Sequence, residues 1–302
     1  IYSRLDIEFD VTLGESFYHN QLAPLVEDLL AKEIAEISDG AVCIFSNNEL
    51  EAKDDPLLVS RDGEWIPVPC MVRKKDGGFN YATTDIATID YRVNELNSDK
   101  ILYVVDDRQS LHFRQLFEVS RQREIKTQLH HVSFGKILGE DRKPFKTREG
   151  SVPDLSSVLE EAVQRAKSVV DDKSNGLSEK EKEDVAERIG IGAIKYFELS
   201  QSRVSDYIFS WDKMLALQGN TAPYMINAYV RTRSIFRKIG DNADISLHDL
   251  ALSNDSERSI AIKLCQYSEV VPEVMTDYRP NLLATYLYEL AQTFHSFYEQ
   301  CP

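Results

Sequence analysis

Five consecutive apolar residues, Ile101-Leu102-Tyr103-Val104-Val105, lie between Asp99-Lys100 and Asp106-Asp107. A strand with one wet face alternates apolar and polar side chains. An unbroken apolar run bounded by charges is the pattern of a strand covered on both faces, as in a parallel sheet flanked by helices. In doubly wound sheets of that kind, ligands bind beyond the carboxyl ends of the strands. That places Asp106, Arg108, Gln109 and His112 at the expected mouth of a site. Any connecting loop also needs polar residues there, so position alone assigns no chemistry.

A second constraint is electrostatic. The chain has 50 acidic and 35 basic side chains, for a net charge of -15. Such a balance argues against indiscriminate binding to nucleic acid, which needs a basic face. RNA would have to use local basic patches, and the sequence contains two. Arg142, Lys143, Lys146 and Arg148 crowd one short stretch, bracketed by Gly135, Gly139 and Gly150, with Thr147 between two of the cations. Glycines let backbone N–H groups approach phosphate oxygens, and Lys and Arg offset the charge that develops when a phosphoryl group moves. On charge alone, a solvated surface loop accounts for the cluster better than a phosphate site does. Arg231, Arg233, Arg237 and Lys238 form the second patch, on a predicted helix.

The remainder reads as α/β followed by helix. Residues 5–10 alternate with period two and are expected to form a strand, which Gly14 ends; Ser16 is the expected cap of a helix carrying Leu22, Leu25, Val26 and Leu29. Residues 40–66 read as short strands and turns. The segments 68–72 and 79–83 flank Asp76-Gly77-Gly78 as a predicted hairpin, and a helix capped by Thr83 or Thr84 carries Tyr81 and Asp85 four apart. From Pro153 the apolar spacing becomes three and four, with Asp154 as the N-cap. Gly190-Ile191-Gly192 looks like half a dinucleotide fingerprint, but Lys195 occupies the third glycine position and no strong strand precedes it, which excludes a nicotinamide site. Thr221 caps a further helix with Pro223 in its first turn, and residues 282–298 form an aromatic helix whose stripe is core. Cys43, Cys70, Cys265 and Cys301 lack C-x-x-C spacing, so neither a disulfide framework nor a zinc site is expected and a reducing compartment is. With no apolar run of about 18 residues and no signal peptide, the expectation is a cytoplasmic chain with no membrane span.

Phe145-Lys146-Thr147-Arg148-Glu149-Gly150 resembles the arginyl-tRNA synthetase version of the KMSKS signature loop of class I aminoacyl-tRNA synthetases. Other segments are similar to that family and in its order: Gly14-Glu15-Ser16-Phe17-Tyr18, the Tyr81/Asp85 pair, Tyr103-Val104-Val105-Asp106 with Arg108-Gln109-Ser110-x-His112-Phe113, His131-Val132-Ser133-Phe134-Gly135, and Gly219-Asn220-Thr221-Ala222-Pro223-Tyr224 followed by Tyr229-x-Arg231-x-Arg233-Ser234. The resemblance implies the C-terminal half of a Rossmann-type catalytic domain over 1–150, with a small β-rich insertion at about 37–70, a helical connector over 151–215, and a truncated all-α anticodon-binding bundle over 216–302. It implies attack of the arginine carboxylate on the α-phosphate of ATP, with Mg2+ as the nucleotide's counter-ion and no protein-bound metal, then transfer to the terminal ribose of tRNA(Arg) by a monomer.

The implied site residues are Lys146, Thr147 and Arg148 for catalysis, and His131, Phe134, Gly135 and Lys143 for ATP. Tyr81, Asp85 and Gln109 are implied for arginine, and Asn220, Tyr224, Arg231, Arg233 and Tyr298 for tRNA. Phe145 replaces the first signature lysine and Arg148 the second, so Lys143, Lys146 and Arg148 share the phosphate work and their individual contacts stay open. No His-x-Gly-His occurs, and the chain opens on Ile1 and ends on Cys301-Pro302, so it is expected to be a fragment that does not charge tRNA by itself. Two alternatives remain open: a catalytically silent tRNA-binding module, and a nucleotide-dependent ligase of another substrate.

Overall fold

The computed structural model describes residues 1–139, 142–143, 154–173, 176–240 and 251–301. The chain divides into two units, Phe9–Phe134 and the combination of Ile1–Glu8 with Gly135–Pro302. The first unit runs α1 (His19–Ala31), β1 (Glu36–Ser38), β2 (Ala41–Ile44), β3 (Leu58–Arg61), β4 (Glu64–Pro67), β5 (Cys70–Arg73), α2 (Tyr81–Asn94), β6 (Lys100–Asp106), α3 (Ser110–Gln122) and β7 (Gln128–Phe134). Strands β1, β2 and β5 form an antiparallel sheet, β3 and β4 a hairpin, and β6 and β7 a parallel pair in register from Lys100↔Gln128 to Asp106↔Phe134. Parallel neighbours need a crossover, and α3 supplies it. Val26 and Leu29 of α1, Ile86 and Ile89 of α2, and Leu116 and Val119 of α3 are fully buried against Val42, Ile44 and Val72. Each such side chain contributes about 1.5–3 kcal/mol of burial.

The run at 101–105 is therefore a strand in a parallel pair, but its two faces differ. Ile101 and Tyr103 are buried, whereas Leu102 is 41% and Val104 66% exposed. The expectation of cover on both faces is corrected to cover on one, since among the described residues only the Ile101/Tyr103 face joins the core and packs against side chains such as Phe113, 4.9 Å from Tyr103.

Three local expectations also give way. Residues 5–10 form no strand: a single 3-10 turn, Tyr2–Leu5, ends at Asp6 with φ 55, and Ile7 and Phe9 stay exposed. Alternation needs a neighbouring strand to accept its backbone groups, and among the described residues none pairs there. Ser16 caps nothing; it sits inside a 3-10 turn, Glu15–Tyr18, that runs directly into α1. The hairpin across Asp76-Gly77-Gly78 is half right. Strand β5 enters the turn, where the Gly77 N–H donates to Lys74 O at 2.9 Å, but the chain leaves as α2. The cap of α2 is Asn80 and not a threonine, because its carboxamide oxygen accepts the Thr83 N–H while its nitrogen donates to Met71 O at 2.8 Å. The Thr83 hydroxyl donates instead to Val72 O. The helix start is thus pinned to β5.

The second unit comprises β8 (Ile137–Leu138), α4 (Leu155–Lys173), α5 (Glu179–Ser200), β9 (Tyr207–Ile208), α6 (Trp211–Met214), α7 (Ala222–Ile239), α8 (Asp255–Cys265), α9 (Tyr267–Asp277) and α10 (Pro280–Gln300). Asp154 caps α4 by accepting the Ser157 N–H at 3.0 Å, and Ser178 with Glu181 forms a capping box on α5. Thr221 caps α7 as expected. Gly190 lies where a Cβ would sit 2.7 Å from the Cα of Val163, so the Gly-Ile-Gly stretch serves the close approach of α5 to α4. Ala284, Tyr286, Ala291 and Phe294 are the buried stripe of α10. No helix among the described residues is long and apolar enough to cross a membrane.

Candidate functional site

Asp85 lies in the second turn of α2, its side chain 33% exposed. The Nε2–H of His112, from α3, donates to its Oδ2 at 2.6 Å; the histidine side chain is only 11% exposed. The same imidazole meets the Tyr81 ring edge-on, with centroids 4.7 Å apart and planes at 76°. Tyr81, at the start of α2, is 64% exposed and also lines a cleft with Glu15, Ser16 and His19. Tyr81, Asp85 and His112 therefore form one cluster. Burial, followed by the charges of Cys43 and Asp85, pushes the nearby Cys70 thiol up to about 12. Burial likewise raises Tyr103 to about 12 against the opposing pull of Arg92.

Gln109 ends a 3-10 turn, Asp107–Gln109, and immediately precedes α3; its side chain makes no cap bond and the residue is exposed. Asp106 at the end of β6 accepts both the backbone N–H and the guanidinium of Arg108, each at 2.8 Å. His131 on β7 donates from Nε2 to Val105 O at 3.0 Å, and its ring lies 4.6 Å from that of Phe113. Phe134, the last residue of β7, is exposed.

Gly135 opens the second unit. Its N–H donates to Arg203 O at 2.7 Å, and a Cβ there would fall 2.7 Å from the carbonyl carbon of Ser205. The Lys136 N–H donates to the Asp206 carboxylate at 2.7 Å, and the Phe209 N–H to Leu138 O at 2.9 Å. Arg203 in turn donates from Nε to Tyr278 O at 3.0 Å and from Nη2 to Asp277 O at 2.5 Å. The strand that leads into the basic loop is thus fixed to 203–209, which is fixed to the end of α9. Lys143 accepts the Gly139 N–H at its carbonyl, 2.9 Å away. Lys146, Thr147 and Arg148 lie outside the described residues.

On α7, Arg231 places Nη1 3.2 Å from His295 Nδ1 and its guanidinium 5.3 Å from the Tyr298 ring centre. The half-buried Tyr224 meets His295 edge-on at 5.0 Å and Tyr288 at 5.6 Å. Arg233, Arg237 and Lys238 are exposed on the same helix, together with Tyr229 and Phe236. Asn220 holds its Oδ1 2.6 Å from the Tyr196 hydroxyl.

An arginine can only donate, so His295 accepts at Nδ1 and carries its proton on Nε2. Burial first, then the Arg231 charge, holds its pKa below the usual value, with Glu299 opposing. The unfolded chain therefore takes up this proton before the folded one. Stability from the group is present above the unfolded value of about 6.5 and lost as pH falls below it. Urea midpoints measured at pH 7.5 and 5.5 should fall, and His295→Gln should shrink that fall; an unchanged difference would remove His295 from the account.

Residues 1–211 match the family described as tRNA synthetases class I (R), catalytic domain, and residues 225–302 match the DALR anticodon binding domain. The chain belongs to the arginyl-tRNA synthetase family. It is 44% identical over 308 residues to the arginine–tRNA ligase of Cellvibrio japonicus and 45% over 307 to that of Psychromonas ingrahamii, covering 100% of itself and 51% of each. The chain spans about half the length of the curated relatives it matches. Among solved structures, arginyl-tRNA synthetase from Plasmodium falciparum superposes with a TM-score of 0.79 at 29% identity, over 99% of this chain and 49% of that one. The Thermus thermophilus arginyl-tRNA synthetase gives 0.79 at 21% identity, over 99% and 54%, and shows the same fold.

Within this chain, the catalytic-domain match contains the Tyr81/Asp85/His112 cluster and the 135–143 segment. The anticodon-domain match contains Arg231, Arg233 and Tyr298, while Asn220 and Tyr224 precede it. The sequence motif named His112 without giving it a task, since only the fold reveals that α3 delivers it to a carboxylate on α2. Among the described residues no group of three or more His, Cys, Asp or Glu side chains could hold a metal ion.

Proposed function

We propose that this chain is part of an arginine–tRNA ligase, which joins arginine to ATP as arginyl-adenylate and passes the arginyl group to the terminal ribose of tRNA(Arg). The observation that carries the reading is Asp85: a partly exposed carboxylate on a helix anchored at its start, one oxygen held by His112, in a chain 44% identical to arginine–tRNA ligases. A carboxylate suits a guanidinium because it accepts two parallel N–H bonds from the planar fork. Tyr81 would wall the pocket and Gln109 would add an amide contact to the substrate.

The arginine carboxylate attacks the α-phosphorus, the bond to the bridging oxygen breaks, and pyrophosphate leaves. The ribose hydroxyl then displaces AMP. Lys146, Thr147 and Arg148, with Lys143, would offset the charge on the departing pyrophosphate, and His131, Phe134 and Gly135 would border the nucleotide. Mg2+ would arrive with ATP as the nucleotide's counter-ion. Arg233 on the exposed face of α7 would meet RNA phosphate, with Arg231 and Tyr224 shaping the surface beside Asn220 and Tyr298. A monomer in the cytoplasm fits this reading.

The test uses the protein that carries this chain, with labelled arginine or lysine, ATP and tRNA. Arginine is expected to be charged and lysine is not. Failure to release pyrophosphate in response to arginine would overturn the proposal.

A further inference from the structure

The geometry points to His112 as a specificity-determining positioning residue that sets the plane of the Asp85 carboxylate for a guanidinium; the inference rests on the reading of Asp85 as the substrate's partner. A carboxylate's terminal torsion is broad, so an Asp without a fixed neighbour presents its oxygens over a wide range of angles. Here the Nε2–H of His112 takes Oδ2 at 2.6 Å and leaves the other oxygen and the remaining lone pairs for incoming donors. The histidine is itself fixed, because it is nearly enclosed and its ring is flanked by Tyr81 at 4.7 Å and by Phe113 at 5.1 Å. It reaches Asp85 across helices, from a position 27 residues away, so the bond ties the α2 site to α3.

A two-pronged guanidinium needs both carboxylate oxygens at a set angle, whereas an ammonium behaves as a point charge and tolerates a turned carboxylate. Loss of the His112 donor should therefore cost arginine more than lysine. His112 touches no reacting atom; it acts through Asp85. The effect belongs in substrate affinity and selectivity and not in the rate of the chemical step.

The experiment measures arginine- and lysine-dependent pyrophosphate exchange, with tRNA present, on the protein that carries this chain. His112→Phe keeps a flat ring beside Tyr81 and removes the N–H; His112→Gln keeps a donor. His112→Phe should raise KM for arginine by about 10- to 100-fold, the worth of one hydrogen bond to a charged group, with kcat and the KM for ATP nearly unchanged, and should narrow the preference for arginine over lysine. His112→Gln should restore most of both. A folded His112→Phe protein with unchanged arginine KM, alongside an Asp85→Asn protein whose arginine KM rises, would overturn the inference and leave Asp85 in place. If both variants are silent, the reading of Asp85 falls as well. Should thermal melts show His112→Phe unfolded, His112→Leu carries the same comparison.

Discussion

Asp85→Asn should raise the KM for arginine by about 30- to 4,000-fold and leave the KM for ATP within a few-fold of its starting value. The range is the cost of truncating one member of a close charge pair, about 2–5 kcal/mol, at about 1.4 kcal/mol per tenfold. The substitution is nearly isosteric, so its effect should be electrostatic. One acceptor oxygen becomes an NH2 donor, which repels a substrate group able only to donate. The fold should tolerate the change, because the Asn80 cap and the Thr83–Val72 bond hold α2 independently of residue 85. His112 could still donate to the remaining amide oxygen, so the imidazole and Tyr81 need not move. Pyrophosphate exchange across arginine and ATP concentrations decides the matter: an equal loss for both substrates, or none, would return Asp85 to an ordinary helix-turn carboxylate.

How far the sequence exposed this arrangement depends on which physical rule governs each residue. Local rules held where one residue's chemistry decided the outcome. Asp154 and Thr221 cap their helices because each sets a side-chain oxygen beside N–H groups the helix leaves unpaired, and Thr221 does so while its hydroxyl donates to Ala216 O. The apolar run 101–105, bounded by charges, became a strand paired in register with β7. The same run could not say which face is covered, and Val104 at 66% exposure beside Tyr103 at 8% shows that the alternation is imposed by packing and not by composition. Residues 5–10 alternate and still form no strand, since period two is a pattern and a strand also needs a neighbour. Thr83 is the opposite failure. Asn80 caps the helix ahead of Tyr81, so Thr83 lies inside the first turn, where it is no cap, and its hydroxyl donates to Val72 O of β5. Spacing put Tyr81 and Asp85 four apart on one helix, but only the family resemblance gave the pair a task. Position beyond β6 put His112 at the expected mouth, while its bond to Asp85 left no trace in the sequence because α2 and α3 meet only in the fold.

Lys146→Ala and Arg148→Ala should each slow adenylate formation by about 10²–10³, the usual cost of removing one preorganised donor from developing charge, while tRNA affinity changes little. Residues 144–150 lie outside the described residues, and the described chain just ahead of them is 135–139 with 142–143. Gly135 and Lys136 are bonded to Arg203 and Asp206, Leu138 to Phe209, and a Cβ at 135 would collide with Ser205. The described segment just ahead of the cations is thus held at 135–138, and the expected loss rests on the signature-loop resemblance of 145–150. The comparison that makes the result diagnostic is Arg233→Ala. Arg231 already donates to His295 and covers Tyr298, so its truncation would register mainly as lost stability of α7 against α10. Arg233 is exposed, and a lost phosphate contact there should flatten log tRNA affinity against log salt by about one unit. Adenylate formation would be unchanged in Arg233→Ala and the salt slope unchanged in Lys146→Ala. If instead the loop variants flattened the slope and left the rate alone, the 142–148 cations would be an RNA contact in a solvated loop, and the charge on the leaving pyrophosphate would have to be met by other residues.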